Sequence, residues 1–118
     1  LKDIEVTWCE PRECAGTPLT NYQLEFRPTN RRAWQTLTVP GTFDEPLCIP
    51  ASQKNLFIPV SSKETSSTLA ANTDYFFRVA ARNEVGLSEF AETRDSIRTP
   101  LKPGKRLILY LADSLRLA

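Results

Sequence analysis

The chain predicts an all-β fold, an antiparallel β-sandwich, on three observations. Residues 75–82 alternate strictly, with Tyr75, Phe77, Val79 and Ala81 on one side and Phe76, Arg78, Ala80 and Arg82 on the other, the period of two that marks a half-buried strand. Residues 3–8 alternate in the same way, setting Ile4, Val6 and Trp8 against Asp3, Glu5 and Thr7, which implies a sheet with one wet face. Finally, Tyr75 opens its strand after a Leu-x-x-x-Thr-x-Tyr run that starts at Leu69. Such a tyrosine packs its ring inward and returns its hydroxyl to the preceding backbone, the tyrosine corner of β-sandwiches.

The elements follow in order. After the strand that ends near Trp8, the turn formers of 11–18 make a loop. A second strand runs from Asn21 to Arg27 with Tyr22, Leu24 and Phe26 inward and Glu25 and Arg27 on the exposed face, and Pro28-Thr29-Asn30 ends it. Trp34, Leu37 and Val39 mark a further strand. Residues 40–55 hold three prolines, Gly41 and Cys48, a long irregular connection of a kind uncommon in compact domains and often functional. Its apolar residues Phe43, Leu47 and Ile49 are expected to lie against the sandwich. Leu56 to Val60 is the next strand, and Ser61 to Thr68 a polar loop. Beyond Arg82, Asn83 and Gly86 suit a tight connection because both tolerate left-handed backbone. Leu87 to Thr99 reads as the last strand, with Pro100 as its stop.

With 118 residues the chain suffices for one domain of common size and not for two full cores. Residues 101–106 form a basic, breaker-rich linker, and 107–118 a short apolar tail. In the tail Leu107, Leu111 and Leu115 share a helical face, while Leu107, Leu109 and Leu111 share a strand face, so periodicity leaves both open. Three roles compete for it: covering the sandwich, beginning a neighbouring domain, or docking on a membrane surface through Lys102, Lys105 and Arg106.

Composition excludes several function classes. Charged residues make up 25% and hydrophobic ones 41%, with a formal net charge of +1. Basic and acidic residues are interspersed, so no nucleic-acid partner is expected. No stretch approaches the roughly 20 apolar residues of a membrane-spanning helix, which places any membrane anchor outside this chain. Histidine is absent, removing the commonest general base and most transition-metal ligands. Without a phosphate-cradling glycine loop or a partner to activate the serines of 61–67, neither an enzyme, nor a cofactor, nor a small-molecule substrate is expected.

The segment Leu69 to Gly86 resembles the F strand and FG turn of fibronectin type III domains, an immunoglobulin-like sandwich family. Ile4 to Pro11, with Trp8, is similar to the family's B strand, Asn21 to Arg27 to strand C, and Trp34, Leu37 and Val39 to strand C′. The resemblance covers residues 1–100. It departs from the family at three points. Only seven residues precede Trp8, so strand A is missing or short and the chain reads as an excerpt of a longer protein. Ala71 stands where the corner motif usually has proline, and the loop 61–68 is inserted after the E strand.

The resemblance implies a core of Trp8, Tyr22, Leu24, Phe26, Leu69, Tyr75, Phe77 and Val79. It implies a spacer and binding module in an extracellular cell-adhesion protein or membrane receptor, similar to modules of neural cell adhesion molecules. Partners would be another protein or neighbouring domains of the same chain. Contact candidates are Phe76, Arg78 and Arg82 on the outer face and Glu84, Val85 and Leu87 at the turn. In that context a disulfide among Cys9, Cys14 and Cys48 is expected, either Cys9 to Cys14 or Cys48 to one of them. Three free thiols would instead suit a reducing compartment and the alternative of an intracellular scaffold; a further alternative is an accessory domain attached to an enzyme.

Overall fold

Alternation becomes strands wherever one face has an apolar layer to meet. The computed structural model describes residues 3–9, 18–42, 44–88, 90–99 and 107–110. Its strands are β1 (Ile4–Cys9), β2 (Asn21–Pro28), β3 (Gln35–Thr36), β4 (Ile49–Pro50), β5 (Asn55–Ile58), β6 (Val60–Ser61), β7 (Leu69–Ala70), β8 (Asp74–Arg82), β9 (Ala91–Glu92), β10 (Ile97–Arg98) and β11 (Leu107–Tyr110). No helix occurs among the described residues.

One sheet has the order β11-β1-β5 and a second β10-β8-β2-β3, with β4 added to β2 and β9 to β8, while β6 and β7 form a small third sheet. The centre of the larger sheet is the antiparallel β2/β8 ladder, in which Leu24 lies opposite Val79 and Phe26 opposite Phe77. Because side chains alternate, that register turns the apolar set of both strands to the same side. Ile4, Val6 and Trp8 of β1 face them from the other sheet, all at most 1% exposed. Trp8 meets Tyr22 with ring centroids 5.4 Å apart, and Phe26 meets Tyr75 edge-on at 5.9 Å, separations typical of favourable aromatic pairs. Leu69, Phe77 and Val79 complete this core.

The tyrosine corner is present and has one addition. The Tyr75 hydroxyl accepts from the Ala70 N–H at 2.9 Å and donates to the Glu64 carboxylate at 2.8 Å. Glu64 also receives Arg31 at 2.8 Å, so the polar loop is tied to the corner rather than free. Burial chiefly, and then the Glu64 carboxylate, push the Tyr75 phenol up to about 12, against the lowering influence of the Ala70 N–H. The folded state therefore holds this proton more tightly than an unfolded chain, whose tyrosines titrate near 10. The resulting stabilisation is complete below pH 10 and is lost as pH rises towards 12. Tyr75→Phe is expected to cost about 1–3 kcal/mol at neutral pH and to flatten that alkaline loss, as thermal melts from pH 8 to 11 would show.

Several elements differ from the sequence expectation. The last strand is broken into β9 and β10, because Thr93 leaves the ladder and bonds the Phe77 backbone through both its N–H and its hydroxyl. Pro59 interrupts the Leu56 to Val60 strand, and β6 then pairs in parallel with β7. In the turn after β8 the left-handed asparagine is absent. Asn83 works through its side chain, whose Oδ1 accepts from the Val85 and Gly86 N–H groups at 2.8 and 3.2 Å. The asparagine with positive φ is Asn72, at 54°, in the corner before β8.

The long connection is held by apolar contact and backbone pairing. Ile49 is buried and pairs with Tyr22, Leu47 packs on the core, and Thr38 bridges to Pro46. Cys48 and Cys9 are exposed and free, so the pairing of these two across the sandwich end is not formed. Cys14 and Phe43 lie outside the described residues, as do the linker 101–106 and the tail beyond 110.

Of the tail, Leu107 to Tyr110 adopts the strand alternative. β11 lies beside β1 in parallel, with Val6 opposite Leu107 and Cys9 opposite Tyr110. Leu107 is buried against the core while Ile108 is exposed. The C-terminal segment thus lies along the edge of β1 opposite β5.

Candidate interaction surface

The outer face of the β2/β8 sheet carries charged and aromatic side chains at positions that period-two spacing turns away from the core. Arg27 lies opposite Phe76, and Glu25 opposite both Arg78 and Thr36. Trp34, just ahead of β3, reaches back over this face. The result is a stack that runs across the sheet: the Arg27 guanidinium lies 4.7 Å from the Phe76 ring and 5.1 Å from Trp34, and Arg78 lies 4.3 Å from Trp34 and 4.0 Å from Phe90. Guanidinium groups at these distances are attracted by the ring quadrupole.

Glu25 anchors the stack. Contrary to the expectation of a solvated side chain, it is only 7% exposed. Its Oε1 accepts from Arg78 Nε at 2.8 Å and from Arg78 Nη2, and its Oε2 from Gln23 at 2.7 Å and Thr36 at 3.0 Å. Buried charge persists only when paired and hydrogen-bonded, and here every lone pair has a donor in reach.

The six contact candidates therefore divide. Arg78 is largely consumed within the stack, and Phe76 is half-buried beneath Arg27. Arg82, Glu84 and Val85 are exposed, Val85 by 56%, and Leu87 is half-buried and bridged to Arg82. The turn is held in shape by Asn83, so its apolar tip is presented on a fixed loop. Sequence reading placed Glu25 on this face as a solvated side chain and missed Trp34 and Phe90 as its members. Only the Glu25/Arg78 alternation hinted at the cluster, because Thr36 and Arg78 lie 11 and 53 residues from Glu25 in sequence.

Two shallow hollows flank the sandwich. One, of about 510 Å³, lies between β9, β10 and β11 and is lined by Glu92, Arg94, Asp95, Ile97, Leu107 and Ile108 among others. Another, of about 810 Å³, is lined by Arg31, Gln35, Thr42, Lys63, Glu64 and the hydroxyl residues 65–67 among others. Among the described residues no three His, Cys, Asp or Glu side chains gather as a metal site, and no helix is long and apolar enough to cross a membrane. What the outer face offers chemically is recognition, through fixed rings, guanidinium groups and a rigid turn.

Compared with known protein families, residues 2–96 match the fibronectin type III domain. Two facing sheets, a buried β1 tryptophan and a tyrosine corner ahead of β8 agree with that match over most of the chain. This chain belongs to the fibronectin type III family, whose modules are typically non-catalytic and serve protein interaction.

Proposed function

We propose that this domain is a non-catalytic interaction and spacer module of a cell-surface receptor or adhesion protein. The family match over residues 2–96 carries the reading, with fold-level analogy as its warrant. Protein contact is assigned to the outer face around Arg27, Trp34 and Phe76, and to the turn formed by Glu84, Val85 and Leu87. The built stack supports this assignment: aromatic and arginine side chains are the types enriched where proteins bind one another.

A second reading, an intracellular scaffold module, draws on one observation. Cys9 and Cys48 are exposed and free, a state that reducing compartments maintain. Antibody staining of cells expressing the parent protein separates the two. Signal on intact cells, before permeabilisation, is the expected result; staining confined to permeabilised cells would overturn the receptor reading in favour of the scaffold.

A further inference from the structure

We propose that Arg27 is the receptor for a carboxylate on an acidic peptide segment of the partner, a deepening that rests on the reading of this face as a protein-contact surface. The argument is one of charge left over. Around Arg27 each neighbouring carboxylate is already engaged: Glu25 by Arg78, Gln23 and Thr36, Glu64 by Tyr75 and Arg31, and Asp74 by Arg98. Arg27 itself donates one side-chain bond, from Nη1 to the Arg31 carbonyl at 2.8 Å, and has no carboxylate partner among the described residues. Arg32, which follows Arg31, is exposed and is in no ion pair among the described residues. At this corner of the face the excess of charge is therefore positive.

Geometry makes that excess selective. Seated 4.7 Å from the Phe76 ring and 5.1 Å from the Trp34 ring, and tied through Nη1 to the Arg31 carbonyl, the Arg27 guanidinium is fixed in place with no further side-chain bond among the described residues. A planar fork of donors matches a carboxylate, and pre-ordering lowers the rotamer entropy lost on binding. The rings beside it supply an apolar shelf, so the fitting segment carries an acidic residue next to an apolar one. Charge complementarity and the shelf together favour a peptide over a simple anion, which the charge alone would attract equally.

The test uses the folded domain, ¹⁵N-labelled, in low-salt buffer, titrated with the synthetic peptide Glu-Leu-Glu-Leu-Glu and separately with Gln-Leu-Gln-Leu-Gln and with inorganic phosphate. The proposal expects the Arg27 Nε and Trp34 indole resonances to move with the glutamate peptide and not with the glutamine peptide. Arg27→Lys, which keeps the charge and loses the fork, weakens binding about tenfold, and Arg32→Gln, an exposed change, weakens it about threefold. Equal binding by the glutamine peptide, undiminished binding by Arg27→Lys, or phosphate as effective as the glutamate peptide overturns it. Should Arg27→Lys fail to fold, the Arg32→Gln variant decides: unaltered affinity there counts against the proposal. Cell-surface staining is independent of this outcome, so failure at Arg27 leaves the module reading standing and identifies this corner as misassigned.

Discussion

Truncating Trp8 to alanine is expected to lower the free energy of unfolding by about 3–5 kcal/mol, the range for large aromatic-to-alanine changes in a core. For a domain of this size that is a large share of the whole stability, and the variant sits near the folding threshold. The reason is positional. Trp8 is 1% exposed, sits at the meeting of the two sheets and packs on the Tyr22 ring, so removing its side chain opens a cavity bounded by strands that cannot collapse without losing register. The indole N–H has no acceptor among the described residues, so the loss is one of packing. Trp8→Phe should accordingly retain most of the stability. Urea denaturation of the three proteins checks both statements; an unchanged midpoint in Trp8→Ala would remove Trp8 from the core.

The second large effect is expected at a residue that looks dispensable in the sequence. Glu25→Ala strands the Arg78 guanidinium between Trp34 and Phe90 with its charge unpaired, and it deprives Gln23 and Thr36 of their acceptor. Breaking one half of a buried pair costs more than the pair contributes. Since Arg78 keeps 22% of its side chain exposed, water recovers part of the loss, and about 2–3 kcal/mol is expected. Glu25→Gln, which keeps one of the two acceptor oxygens and removes the charge, should lose less. The double variant E25A/R78A should fall short of the sum of its single changes, measured by the same denaturation series. Additivity, or a neutral Glu25→Ala, would show that the ion pair carries no structural weight.

These two residues also show what the sequence could and could not disclose. Trp8, Phe26, Tyr75 and Phe77 are readable because burial on one sheet face imposes a period of two within a few consecutive residues. Glu25 obeys the same period and so reads as solvated. Its carboxylate is held by Thr36 of β3 and Arg78 of β8, which no local pattern brings together. Glu64 is the parallel case in a loop: serines, a lysine and threonines around it signal solvent, yet the tyrosine hydroxyl and Arg31 reach it. The broken last strand was hidden for a different reason. Ala91 to Thr99 shows no proline or glycine to mark the break, and only the bond from Thr93 back to Phe77 reveals it. Asn83 and Asn72 are both turn asparagines by type, and the sequence does not say which adopts the left-handed backbone and which folds its side chain over the turn.

The parallel seating of β11 beside β1 bears on how the domain would carry a mechanical load. In a parallel pair both strands point the same way, so Ile4 lies towards one pole of the sandwich and Tyr110 towards the other. Tension applied through these two points slides the strands along one another and strains their slanted hydrogen bonds together. An antiparallel hairpin pulled from its open end would instead unzip one bond at a time. Under such a pull the short β11 ladder would act as a clasp whose bonds share the load.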